Sequence, residues 1–256
     1  MSVAQGASTA QLGLPADYYE RIHAVERSHW WHRGMREIAR VLLGERLHRG
    51  ERLLDAGCGT GGFLTWAEEV GSFSSLAGAD IAGEAVSFAR AQIPAADLRV
   101  APLDAMPWED ESFDLVACND VLQHVPAARL TDSVAELRRL VAPGGAVLVR
   151  TGGALREREE RDDWRIFSAR SLRDLLERGG LRCERVTYAN LAGSLAATAR
   201  GSAPRAPSEE RHGIPAAQRT RAGDPRFRAL GAEARWLSHP ERSLPYGHTL
   251  LALAGR

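Results

Sequence analysis

Leu53-Leu54-Asp55-Ala56-Gly57-Cys58-Gly59-Thr60-Gly61-Gly62-Phe63 reads as a short apolar strand, a glycine turn and the start of a helix. Leu53 and Leu54 belong to the apolar run expected of a parallel strand covered on both faces. Glycines at 57, 59, 61 and 62 admit positive φ and let a ligand come close to the main chain. Phe63, Leu64, Ala67 and Val70 then recur at helical spacing, and Gly71 stands where the helix should stop. Gly57, Gly59 and Gly62 equally satisfy the spacing of a dinucleotide fingerprint, so the glycines alone do not choose among nucleotide ligands. Asp55 discriminates better. A carboxylate two residues before the first glycine repels a pyrophosphate and attracts a ligand that carries an ammonium and a sulfonium.

The stretch resembles motif I of the class I S-adenosylmethionine-dependent methyltransferases, an acidic residue followed by G-x-G-x-G. The resemblance implies S-adenosyl-L-methionine as cofactor, with Asp55, Gly57, Gly59 and Gly61 against it. Downstream, Leu76-Ala77-Gly78-Ala79-Asp80-Ile81 reads as a second strand ending in an acid about 20 residues after the turn, the spacing at which a carboxylate reaches ribose hydroxyls. Ile81 would offer adenine an apolar face, and a helix with Ala85, Val86, Ala89 and Ile93 as its buried stripe follows over 83–93. The third strand, 98–107, runs out into a loop where the resemblance implies an acid at the adenine amino group. Asp104 matches that position, with Ala105 and Met106 beside it. Phe113 to Asp120 is a fourth strand with polar residues at its carboxyl end, among them Asn119 as a cofactor contact. With Val121-Leu122-Gln123-His124-Val125 it looks like the family's "FDLV" strand followed by a late histidine. His124 is then the candidate base, the alternative being a packed turn histidine. Val141-Ala142-Pro143-Gly144-Gly145 ends the helix 130–141 in a tight turn of the family's type, with strand five over 146–150.

Ahead of the first strand, residues 17–43 are helical in period and read as two helices broken between Ser28 and Gly34. Tyr18, Tyr19, Trp30 and Trp31 concentrate there. Such aromatics can close over cofactor and substrate or simply pack a helix onto the sheet. Tyr19, Trp30 and Trp31 are taken as substrate contacts. Trp30-Trp31 followed by Arg36 resembles a block that precedes motif I in many small-molecule methyltransferases, where an arginine faces the methionine carboxylate; Arg36 is the candidate and Arg33 its competitor. His29 and His32 have metal-ligand spacing on a helix but lack a third ligand nearby, so no metal is expected. Late in the chain, Ser168 caps a helix over 169–178, strands follow at 181–188 and 249–254, and a short helix lies near 227–237. The run 156–163 alternates in charge and reads as a solvated face.

Acids and bases balance at 33 each, and every base is arginine, since the chain has no lysine. No global field therefore favours nucleic acid or an anionic membrane. Cys58, Cys118 and Cys183 are far apart, which fits a reducing cytoplasm, and no apolar run approaches the roughly 18 residues that span a bilayer. Alternating strands and helices predict an α/β doubly wound parallel sheet; with the two late strands, the resemblance implies a Rossmann-like seven-stranded sheet with an antiparallel last strand, plus an N-terminal helical lid. Residues 1–14 would be a disordered tail and 15–256 a single domain: lid 15–45, cofactor core 46–199, cover 200–240 and closing strand 241–256. The expected activity is methyl transfer to a small-molecule acceptor, with O-methylation of a secondary metabolite or sugar favoured. A non-methylating protein that binds S-adenosylmethionine and a nicotinamide-dependent oxidoreductase are the alternatives, and a homodimer is left open.

Overall fold

The computed structural model describes residues 17–49, 51–153, 165–199 and 223–256. The expected tail at 1–14, the charged run 156–163 and the cover residues 200–222 lie outside the described residues. The described elements are α1 (Tyr18–Glu26), α2 (Trp30–Leu43), β1 (Arg52–Ala56), α3 (Gly62–Val70), β2 (Ser75–Asp80), α4 (Gly83–Gln92), β3 (Asp97–Val100), β4 (Phe113–Asn119), α5 (Leu130–Leu140), β5 (Val141–Gly152), α6 (Ala169–Arg178), β6 (Arg182–Ala189), α7 (Leu191–Ala199), α8 (Pro225–Leu237) and β7 (Thr249–Gly255). They form one seven-stranded sheet in the order β3-β2-β1-β4-β5-β7-β6. The β1, β2, β3, β4 and β5 ladder is parallel, and β7 runs antiparallel between β5 and β6. The parallel part is the sheet the strand–helix alternation predicts, and the reversed strand is the one the resemblance implies.

Side-chain alternation explains why both faces are covered. Leu54, Val116 and Val147 point into one cluster with Val134 and Leu137 of α5 and Leu172 and Leu176 of α6. Their neighbours Leu53, Leu115 and Leu148 point into the other, with Ile38 of α2, Leu64 of α3, Val86 of α4 and Leu230 of α8. Each such fully buried side chain contributes about 1.5–3 kcal/mol.

Three local predictions are corrected. The chain breaks at Arg27–His29 and α2 runs through Gly34, because that glycine is where α8 comes close: a Cβ there would meet Leu230 Cδ1 at 2.2 Å. Pro143-Gly144-Gly145 does not precede β5 but lies inside it; Val141 already pairs with Phe113, and the register shifts between Phe113 and Leu115. The helix α7 has no counterpart in the sequence reading, since its small residues carry no clear apolar stripe.

Candidate active site

Parallel strands deliver their carboxyl ends to one edge, where the glycine turn between β1 and α3 sits. The turn is tied to the end of β2, with Gly57 N and Cys58 N donating to Ala79 O at 2.7 and 2.8 Å. Its glycines serve different ends. A Cβ on Gly57 would strike Val121 Cγ2 at 2.1 Å, whereas Gly59, at φ 51°, faces open space that a side chain would fill.

Asp55, the last but one residue of β1, is buried, and burial pushes its carboxyl up to about 8 against the opposing pull of Arg150. Its Oδ1 and Nδ2 of Asn119, which ends the adjoining strand β4, face each other closely enough for the amide to favour the charged carboxylate, yet neither makes a well-formed hydrogen bond. A buried acceptor and a buried donor left unpaired cost about 1–3 kcal/mol each, which a ligand bearing both an ammonium and an acceptor would recover. The residues therefore fit the amino-acid end of S-adenosylmethionine. Asp80 at the tip of β2 accepts from Gly59 N through Oδ2 and from Ala82 N through Oδ1, both at 2.9 Å, which fixes the carboxylate beside the turn. Ile81, next to it, is 40% exposed.

Other expected contacts have partners within the chain. Asp104 forms an ion pair with Arg129. Ala105 is exposed on the loop, but the Met106 side chain enters the core beneath it and its N–H donates to Glu136 Oε1 at 2.7 Å. Arg36 donates to Gly62 O at 3.1 Å and to Glu26 O at 2.5 Å, so its guanidinium joins α1 to the start of α3. Arg33 is held over the Phe227 ring at 4.5 Å on the α8 side. The two histidines before it are neutral for the same reason: burial lowers His29 to about 4 and His32 well below its ordinary value. His29 Nδ1 accepts from Trp31 N at 3.4 Å at the start of α2, and no metal-ligand cluster occurs among the described residues.

The helix α1 lies across the turn. At its start, burial and then the charges of Asp120 and Asp80 raise the Tyr18 hydroxyl to about 12. At its end buried Glu26 reaches Gly62 and accepts from Gln92 Nε2, which also donates to Thr60 O at 2.6 Å. Tyr19, the expected substrate contact, instead packs with Ala82 and Ala85. The two tryptophans diverge as well: Trp31 lies under the Arg150 guanidinium at 5.0 Å, while Trp30 carries Arg226 of α8 at 4.9 Å.

Asp120 and Arg150 were absent from the sequence-derived site. Asp120 takes φ 60°, a strained value for a residue with a side chain. Its N–H donates to Arg150 O at 2.8 Å while its Oδ2 accepts from Arg150 Nη2 at 2.7 Å. A left-handed aspartate just past a strand end is a signal that only the backbone reveals. His124 closes the short turn Leu122–His124 and is exposed, with Gln123 before it buried and anchoring that turn to β5 by accepting from Gly152 N at 2.7 Å.

Residues 54–149 match the family model described as a methyltransferase domain. A malonyl-[acyl-carrier protein] O-methyltransferase of Enterobacter lignolyticus is 29% identical over 161 residues, 63% of this chain and 59% of that one. The chain thus spans less than two thirds of the length of the first curated relatives it matches. Among solved structures, the methyltransferase in complex with the Trm112 activator of Haloferax volcanii aligns with a TM-score of 0.63 at 20% identity, covering 97% of both chains. The [4+2]-cyclase SpnF aligns with a TM-score of 0.55 at 19% identity, over 86% of this chain and 80% of that one. The acidic glycine turn, the seven-stranded sheet and the reversed β7 agree with that match, and residues 54–149 form a methyltransferase domain of the class I S-adenosylmethionine-dependent type.

Proposed function

We propose that the chain transfers a methyl group from S-adenosylmethionine to the oxygen of a small, neutral hydroxyl acceptor. The observation that carries the cofactor half is the unpaired Asp55 Oδ1 beside a turn whose Gly59 leaves open space. In this reading Asp55 takes the ammonium group, Asn119 Nδ2 donates to the amino-acid end, Asp80 holds the ribose, and Ile81 and the loop of Asp104 and Ala105 border the adenine. Arg36 steadies the lid against the turn. When bound, the cofactor supplies a methyl group on a cationic sulfonium. The chain's own part is to align the acceptor and exclude water, which are the main sources of acceleration for such a displacement. Tyr18 and Trp31 border the acceptor side.

The charge around that side favours a neutral acceptor. Asp80, Asp120 and Glu26 are anionic or carboxylic groups facing the same edge as Asp55, and the cations beside them are already engaged, Arg150 with Asp120 and Arg36 with the main chain of Glu26 and Gly62. A second reading, methylation of a carboxyl on a malonyl thioester, is favoured by several relatives being malonyl-[acyl-carrier protein] O-methyltransferases. A reaction other than methyl transfer on the same fold is the third, since fold alone does not assign chemistry. The deciding experiment incubates the protein with labelled S-adenosylmethionine and phenols, sugars, amines or a malonyl thioester, and reads S-adenosylhomocysteine release. Transfer to the thioester alone overturns the hydroxyl assignment.

A further inference from the structure

The two neighbours of Asp120 in sequence fix where it stands. Asn119 ends β4 beside β1 and turns its Nδ2 to the Asp55 carboxyl. Val121 packs on the cofactor turn so closely that a Cβ on Gly57 would strike its Cγ2 at 2.1 Å. Asp120 is therefore flanked on both sides by contacts with the cofactor-binding residues. Its charge is felt where theirs is. Beyond burial, Asp120 and Asp80 together raise the Tyr18 hydroxyl on α1, and Asp55 and Asp120 together raise the Cys118 thiol on β4.

The carboxylate is held by one oxygen. Asp120 N–H donates to Arg150 O at 2.8 Å, and Arg150 Nε and Nη2 both donate to Oδ2, at 2.9 and 2.7 Å. These three bonds to a single residue of β5 over-determine a backbone at φ 60°, a conformation that a residue with a side chain rarely keeps without such support. Because both guanidinium nitrogens go to Oδ2, Oδ1 has no hydrogen bond or ion pair among the described residues, and the side chain is 30% exposed. A carboxylate oxygen only accepts, so its complement is a donor such as a hydroxyl. The charge of Asp120 reaches Tyr18 and its partner Arg150 lies over Trp31, the two aromatics that border the acceptor side in the reading above.

We infer that Asp120, its Oδ2 tied to Arg150, binds the acceptor hydroxyl through Oδ1 and takes its proton during transfer. The inference rests on the hydroxyl reading above. The acceptor O–H proton passes to Oδ1, an oxygen lone pair forms the O–CH3 bond, and the S–CH3 pair stays on sulfur as S-adenosylhomocysteine is released. A carboxylate suffices as the base, since the oxygen becomes strongly acidic as it gains the methyl group. The same arrangement sets specificity: with Arg150 neutralised by Asp120, an un-ionised hydroxyl is bound and an anion at that place is repelled.

The test compares wild type and Asp120→Asn with phenol, which is un-ionised at pH 8, and 4-nitrophenol, which is largely ionised there. Asparagine tolerates the left-handed backbone and can still accept from Arg150, but it puts an amide donor in place of Oδ1 and leaves the Arg150 charge uncompensated. Asp120→Asn should lower kcat/KM for phenol by at least about tenfold and leave that for 4-nitrophenol unchanged or raised. Calorimetry on the S-adenosylhomocysteine complex should show the same divergence without turnover, phenol binding more weakly and 4-nitrophenolate more tightly. Asp120→Gly, which adopts φ 60° without strain, should also lose phenol more than 4-nitrophenol. Equal loss of both acceptors, or phenol turnover that Asp120→Asn leaves intact, overturns the role of Asp120 while the hydroxyl reading stands. Transfer to a malonyl thioester with neither phenol accepted by wild type overturns the hydroxyl reading first and the role of Asp120 with it.

Discussion

Asp55 is where charge, burial and ligand binding meet most directly. Its carboxyl titrates near 8 in the ligand-free chain because burial disfavours the charged form. An arriving ammonium favours that charged form, so binding should release a proton near neutral pH. S-Adenosylmethionine affinity is expected to rise from pH 6 towards 8 and level off above it. Calorimetry in buffers of different ionisation enthalpy reads both effects; equal affinity at pH 6 and 9 with no proton release would refute them. For stability the sign is opposite. A carboxyl raised on folding contributes stability that is full below its unfolded value and is lost as pH rises through the folded one, so the ligand-free fold should weaken between about pH 4 and 8. Asp55→Asn should remove that slope and weaken cofactor binding about 10- to 100-fold, the cost of one charge-assisted hydrogen bond. Asp80→Ala should cost about 1–3 kcal/mol of cofactor affinity while leaving the sheet intact.

Among the elements, α2 shows how a single helix divides its work between packing and cover. Trp30 and Trp31 are adjacent in sequence, yet the turn of the helix sends one to Arg226 of α8 and the other to Arg150 at the strand ends. Trp31→Ala should therefore lower kcat/KM for the acceptor with a small change in Tm, and Trp30→Ala should do the reverse. Equal effects of the two on turnover would argue against the assignment. On the same helix, Gly34→Val should strain the α2–α8 contact by about 1–3 kcal/mol, seen as a lower Tm, because Leu230 already occupies the space its side chain would need.

For the whole molecule, the sheet is sealed on both faces without α1, which lies across the glycine turn and reaches α4 through Gln92. Deleting residues 1–28 should leave a folded sheet by circular dichroism but cut cofactor affinity and turnover strongly, since Tyr18 and Glu26 go with it. Unchanged cofactor affinity in that deletion would refute a covering role for α1. The parallel core was legible in the sequence because Leu53-Leu54 and Phe113 to Cys118 are apolar runs that only a sheet covered on both faces can bury. The cofactor turn was legible because an acid, glycines at fixed spacing and a helix start are all local in the chain. Tertiary structure decided what local pattern does not encode. Pairing across β4 and β5 brought Asp120 and Arg150 together and set Asp120 in a left-handed conformation. The antiparallel return of β7 carried His248 to a serine 54 residues earlier in the chain. Arg36, Met106 and Tyr19 likewise lie where long-range packing puts them, because a side chain's environment is set by the elements that meet it in space and not by its neighbours in sequence.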